Sequence, residues 1–157
     1  MTGSQLSAKV LEKIAKQLDM VKENRECLSQ YPGSDKNWRD FAKMMKLYEK
    51  RLNDLLELSS PAETEDASVP FVVIGSEVEV YDLDGKETFA YRITTPDNFV
   101  TGENNVTLLS PVGKSLLLKK PGDSVDIQVP AGTMRLEIKS VKLDSEVDLG
   151  SLYVYSP

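Results

Sequence analysis

Two stretches of this chain set their residues at alternating spacings of three and four, with a proline and a glycine between them. In residues 11–28 the set is Leu11, Ile14, Leu18, Val21, Arg25 and Leu28, and in residues 38–55 it is Trp38, Phe41, Met45, Tyr48, Leu52 and Leu55. Such spacing places each set on one stripe of a helix, the seam of a coiled coil. Neither helix can hide its stripe alone, and the short connection favours an antiparallel hairpin over residues 1–60, turning at Pro32-Gly33. An intermolecular coiled coil competes with this arrangement. Pro32-Gly33 counts against it by interrupting a continuous helix.

Residues 61–69, within "SSPAETEDASVP", are small, polar and acidic and read as a linker. From residue 70 the helical period is gone. Val78 and Val80 alternate with Glu77 and Glu79, then Asp84-Gly85 signals a turn into Phe89, Tyr91 and Ile93, a β-hairpin pattern. "NNVTLLS", "SVDIQVP" and "TMRLEIKSVKL" supply three more strand candidates, clearest in the alternation of Met134, Leu136 and Ile138. "PVGKSLLLKKPGD" breaks the pattern and leaves room for a short helix before the Gly122-Asp123 turn. The fold class is therefore α+β, a helical hairpin followed by a mostly antiparallel β domain over residues 70–157. The terminal Leu152-Tyr153-Val154-Tyr155 has the character of an edge strand.

The composition excludes several functions. With no His and one cysteine, Cys27, the 157 residues can build neither the usual zinc sites nor a His-dependent triad nor an internal disulfide. No apolar run spans a bilayer, and the charged N-terminus lacks a secretion signal's apolar core, so a cytoplasmic protein without membrane attachment is expected. The net charge of −6 is uneven: residues 1–60 hold 11 Lys and Arg against 9 Asp and Glu, and residues 61–157 hold 8 against 16. An acidic body argues against a general nucleic-acid binder, whereas the mildly basic first part can approach an anionic surface.

An ordered set of residues in the β domain resembles the GreA/GreB transcript cleavage factors. It comprises Ile74-Gly75, Val78, Tyr91, Ile93, Ser110-Pro111, Gly113, Leu116-Leu117, Lys119, Gly122-Asp123, Val125, Pro130, Gly132 and Ile138. Residues 5–58 resemble the family only in layout. Ser115 stands where the family keeps Ala, Leu118 stands where it keeps Gly, the chain after Leu143 runs past the usual family end, and the hairpin looks shorter. The resemblance implies a domain similar in fold to the FK506-binding proteins. That domain docks at the rim of the secondary channel of bacterial RNA polymerase, with the hairpin pointing toward the catalytic centre and near the nucleic acid of the transcription complex. It also implies a docking loop at Leu109, Ser110, Pro111 and Lys114. Leu109 departs from the polar residue often found there, and a rigid turn explains Ser110-Pro111 without any partner. Lys114, Lys119 and Lys120 read more simply as solvated surface charge than as polymerase contacts.

The family tip resembles G-D-x-x-E-N, whose two carboxylates can hold a second Mg²⁺ beside the polymerase's own and orient a water. Here the tip reads Gly33-Ser34-Asp35-Lys36-Asn37-Trp38. Aligning Asp35 with the family's Asp puts Trp38 at the Glu position, and aligning Asn37 with the family's Asn puts Lys36 there. Asp40 is the other tip candidate, but on a helix at about 100° per residue it diverges from Asp35 by roughly 140°. Capping by Ser34 or Asp35 is the simpler account of the turn. The expectation is thus a monomeric, non-enzymatic polymerase-binding regulator with no metal of its own, at most sharing the polymerase's Mg²⁺ weakly. An active cleavage factor using Asp35 and Asp40 is the alternative. A peptidyl-prolyl isomerase is a third reading, weakened because Trp38, Phe41 and Tyr48 are committed to the hairpin.

Overall fold

A computed structural model describes residues 4–23, 36–94, 104–108 and 110–143. The chain folds as two compact units that divide between Asp66 and Ala67.

In the first unit, strand β1 (Ser4–Ser7) leads into helix α1 (Ala8–Glu23), and helix α2 (Lys36–Leu58) leads into strand β2 (Ser59–Ala62). Ser7 opens α1 by accepting the Lys9 N–H at 3.2 Å, which satisfies one of the donors a helix start leaves free. The returning α2 brings the two strands side by side, and they pair in parallel from Ser4 with Ser59 to Ser7 with Ala62. β2 therefore takes up residues that the composition assigns partly to the linker.

The seam is buried as the heptads require. Ile14, Leu18 and Val21 of α1 face Met45, Tyr48, Leu52 and Leu55 of α2, all at 8% exposure or less. In the first turn of α1 the structure differs from the expected register, since Val10 is buried and Leu11 is half-buried. At about 100° per residue Val10 and Leu11 lie roughly equally far, on opposite sides, from the centre of the stripe set by Ile14, Leu18 and Val21, so either can border it. Arg25 and Leu28, and the side chains of Trp38 and Phe41, lie outside the described residues. One polar group is built into the seam: the Tyr48 hydroxyl donates to Gln17 Oε1 at 2.6 Å, with both residues buried.

The second unit is a five-stranded sheet in the order β5-β4-β3-β7-β6. Its strands are β3 (Glu77–Asp82), β4 (Glu87–Thr94), β5 (Asn105–Thr107), β6 (Ser124–Val129) and β7 (Gly132–Lys142). All neighbours are antiparallel except β4 and β5. Val78 and Val80 of the central strand, Ile93, Val125, Ile127, Leu136 and Ile138 are buried on one face, which helix α3 (Pro111–Leu116) covers in part. The other face carries exposed or half-exposed ion pairs such as Lys139–Glu137 at 3.0 Å and Arg92–Glu77 at 3.6 Å, each contributing little to stability in high dielectric. Tyr91 is half-buried, and burial, followed by the Asp82 carboxylate, raises its hydroxyl pKa above the ordinary value.

Two local details depart from the sequence pattern. The run Phe71–Ile74 is wholly buried but lies before β3 rather than in it, held by Val72 N–H to Lys119 O at 2.9 Å and turned into the strand at Gly75, whose φ is 90°. In the β3–β4 turn it is Lys86, at φ 56°, and not Gly85 that takes the left-handed conformation. Asp82 Oδ1 accepts the N–H groups of Asp84 and Gly85, both at 3.0 Å, and so shapes the turn that Asp84-Gly85 signals.

Tyr48→Phe removes a buried donor while keeping the ring in the seam. It is expected to lower hairpin stability by about 1–2 kcal/mol, with the β domain unaffected, as read by denaturant melts followed at residues of each unit.

Candidate functional site

The segment from β5 to β6 is built from short-range constraints. Leu108 is buried and donates its N–H to Thr94 O at 3.0 Å, which fixes the strand end. Ser110 then works on both sides: its hydroxyl donates to Thr107 O at 2.8 Å and accepts the Gly113 N–H at 3.0 Å, capping α3. Pro111 occupies the first helical position, where its missing N–H costs nothing and its φ is already helical. A Cβ on Gly113 would collide with the Thr107 carbonyl, lying 2.8 Å from its carbon and 3.1 Å from Leu108 Cα, so only glycine lets the helix pack this closely on the end of β5. Leu116 and Leu117 bury themselves in the core.

Beyond α3 the chain turns at Leu118, a leucine held at φ 70°, with its N–H on Val72 O at 2.9 Å. The result is a fixed loop whose outward side chains are Pro111, Lys114, Lys119 and Lys120, all exposed. Ser110 is half-buried and committed to the cap, so its side chain works for the loop's shape. Leu109 lies outside the described residues. The loop thus brings Pro111 and Lys114 together on one surface, with Ser110 beneath them.

On the hairpin, α2 carries a feature that the apolar reading passed over. Arg39, Lys43, Lys46 and Lys50 are all exposed, and their spacings of four, three and four repeat the heptad of the seam. At about 100° per residue they centre roughly 180° from Met45, Tyr48, Leu52 and Leu55. Lys50 meets Asp54 at 3.3 Å, an exposed pair. The signal was present in the sequence as a second heptad, written in cations.

The family model described as "Transcription elongation factor, GreA/GreB, C-term" matches residues 65–143, half of the chain. This chain belongs to the GreA/GreB transcription elongation factor family. It is 33% identical over 99 residues to the transcription elongation factor GreA of Desulfotalea psychrophila, a match covering 61% of this chain and 62% of that protein. It is 35% identical over 92 residues to the GreA of Clostridium kluyveri, covering 59% and 58%. The matched stretches thus span less than two thirds of these relatives. Among solved structures, the GreA/GreB factor of Nitrosomonas europaea shares 19% identity at a TM-score of 0.47 over 90% of this chain and 99% of that one. The GreA factor homolog 1 of Thermus thermophilus shares 20% at 0.41 over 88% and 98%.

The Ser-Pro-x-Gly of the GreA/GreB resemblance gains a physical account from Ser110, Pro111 and Gly113, as cap, first helical residue and point of close approach. Of the two tip candidates, Asp35 lies outside the described residues, and Asp40 is exposed on α2. Among the described residues no group of His, Cys, Asp or Glu is arranged to hold a metal ion, and no helix is long and apolar enough to cross a membrane.

Gly113→Ala is expected to destabilise the β domain by about 3 kcal/mol, because backbone must move to admit one methyl. Leu118→Gly relieves a left-handed leucine worth roughly 1–2 kcal/mol, yet loses half-buried surface and gains freedom in the unfolded chain. Its melting midpoint should stay near the parent's, and paired thermal melts of the two variants check the contrast.

Proposed function

We propose that this protein binds bacterial RNA polymerase at the rim of its secondary channel and regulates elongation without cleaving the transcript. The carrying observation is the pairing of GreA/GreB membership with a tip that yields no acid pair in either register. A single carboxylate gives a hard divalent ion little beyond its own hydration shell, so the tip does not fit a second Mg²⁺ and the protein brings no metal of its own. The β domain supplies docking through Pro111 and Lys114, with Ser110 positioning both. It acts as a monomer.

The cation stripe supports a contact with the nucleic acid of the transcription complex. Four exposed cations along one helix face suit a phosphate backbone, whose neutralisation releases counterions and depends steeply on salt. The acidic β domain confines that contact to the hairpin.

Backtracked polymerase complexes incubated with the protein are expected to release no short 3′ RNA fragments, while the protein competes with a cleavage factor for the same polymerase. Fragment release abolished by Asp35→Ala would establish the active cleavage factor instead, and failure to bind core polymerase would overturn both readings.

Pro111→Asp and Lys114→Glu should each weaken polymerase binding about tenfold, near 1.4 kcal/mol, without shifting the melting midpoint. Reversing Arg39, Lys43 and Lys46 to Glu should instead flatten the salt dependence of binding to the complete transcription complex and leave binding to free polymerase unchanged. Titrations at two salt concentrations separate the two effects.

A further inference from the structure

We propose that the hydrogen bond between Tyr48 and Gln17 sets the register of the hairpin, selecting one sliding position of α2 along α1 among several that the apolar seam accepts. The inference concerns α1 and α2 alone and does not rest on what the hairpin binds.

The apolar residues cannot choose a register by themselves. Both helices repeat their seam every seven residues. A slide of one heptad, about 10 Å at about 1.5 Å per residue, therefore returns apolar side chains to apolar places. With Tyr48 against Gln17 in an antiparallel pair, Ile14 lies level with Leu52 to within a residue. Slid by one heptad, Ile14 comes level with Met45 instead, another buried residue of the seam. Hydrophobic burial has no direction, and a leucine and a methionine of similar volume replace one another at small cost.

The strands do not choose it either. β1 and β2 pair over four residues each and form a two-stranded ribbon among the described residues. A ribbon of that size is marginal in water. None of its eight residues is charged, so no ion pair fixes the two strands against each other. β1 lies directly before α1 and β2 directly after α2. The position of the helices carries the strands together, not the reverse.

The polar pair does discriminate. Gln17 is 2% exposed and Tyr48 is fully buried, and the hydroxyl donates to Gln17 Oε1 at 2.6 Å, a short bond across the seam. A slide of one heptad in one direction brings Tyr48 level with Val10, and the hydroxyl loses its acceptor. The opposite slide brings Gln17 level with Leu55, and the amide oxygen loses its donor. Val10 and Leu55 are buried and offer no polar side-chain atom. Each displaced register thus leaves a desolvated polar group facing an apolar side chain, a penalty that an exchange of apolar neighbours does not carry. Leucine and phenylalanine at the two positions would fill similar space and favour no register. A buried polar residue in a coiled-coil seam trades stability for register in this manner.

Distances between two spin labels on the full chain test the proposal. Cys27→Ser removes the native thiol, and Glu12→Cys with Lys46→Cys places labels at exposed positions of α1 and α2. In the register set by Gln17 and Tyr48 these positions are offset by about seven residues, about 10 Å along the hairpin. Dilution with unlabelled chain confines the reading to distances within one molecule. The parent should give one distance. Gln17→Leu with Tyr48→Phe should melt at or above the parent's midpoint, because both partners become apolar together, yet give at least two distances. Val10→Gln with Gln17→Leu moves the amide one heptad along α1 and leaves Tyr48 in place, so the labels should come level and the distance shorten. A single parent-like distance in either variant would overturn the proposal. So would a Gln17→Leu, Tyr48→Phe chain that melts well below the parent, since the bond would then serve stability and not register.

Discussion

The approach of Gly113 to the Thr107 carbonyl decides how the β domain closes. The sheet has one apolar face, and the short α3 must come down on it immediately after β5, with only three residues between the strand and the helix. No side chain fits at the crossing, so the helix passes over bare backbone. Once it does, Leu116 and Leu117 reach the core, and Leu118 and Lys119 meet Val72 in a pair of backbone bonds. Those bonds seat the buried Phe71–Ile74 run, which in turn delivers the chain to β3. Ser110 belongs to the same closure, because it ties the strand end and the helix start through one hydroxyl. The side chains proposed to meet a partner, Pro111 and Lys114, therefore sit on a loop whose shape is set from inside the domain. Such a loop can bind without first losing much conformational freedom.

Much of this was legible in the residues, and the reasons are specific. The seam of the hairpin could be read because Met45, Tyr48, Leu52 and Leu55 repeat a period that only a helix buries on one side. Val78 with Val80, and Leu136 with Ile138, announced strands by alternation in the same way. The short helix was signalled by the break in alternation at "PVGKSLLLKKPGD", while Ser110-Pro111 read as a rigid turn and only the structure shows it as the helix cap. What stayed hidden depended on contacts distant in sequence. Phe71–Ile74 is hard to tell from a strand by sequence, since its four apolar residues lack alternation and the backbone bonds of Val72 go to Leu118 and Lys119. β1 and β2 were hidden for the same reason: each is four residues of mostly small or polar character, and they pair only because the helices between them return to one place. The left-handed residue of the β3–β4 turn fell on Lys86 because Asp82 had already engaged the two amides before it.

The hairpin carries the heptad twice. One set of positions on α2 is apolar and faces α1, while the opposite set carries Arg39, Lys43, Lys46 and Lys50. A helix in a two-helix hairpin has one covered face and one wet face, so charge on the outside is unremarkable by itself. The bias in sign is what needs a cause. From Arg39 to Lys50 the exposed residues are Arg39, Asp40, Lys43, Lys46, Leu47 and Lys50, four cations against one acid, whereas the β domain and linker together carry an excess of eight acids, 16 against 8. Solubility would be served by either sign, and mixed charges would stabilise the helix better through pairs four residues apart. Lys50 makes such a pair with Asp54, whereas no acid lies four residues from Lys43 or Lys46, and on the proposed reading those two serve the anionic partner.

Docking and cutting need not travel together in such a molecule. The loop at Pro111 and Lys114 depends on Gly113 and Ser110 in the β domain, and the cation stripe depends on the register of α2. Neither depends on which residues occupy the hairpin turn. A chain can therefore keep both surfaces while its tip reads Asp35-Lys36-Asn37-Trp38 in place of a carboxylate pair. The lysine changes more than the count of acids, because a cation beside Asp35 would oppose a second divalent ion electrostatically. On the proposed reading, giving this tip hydrolytic activity would take a second acid in the correct register and relief from the Lys36 charge.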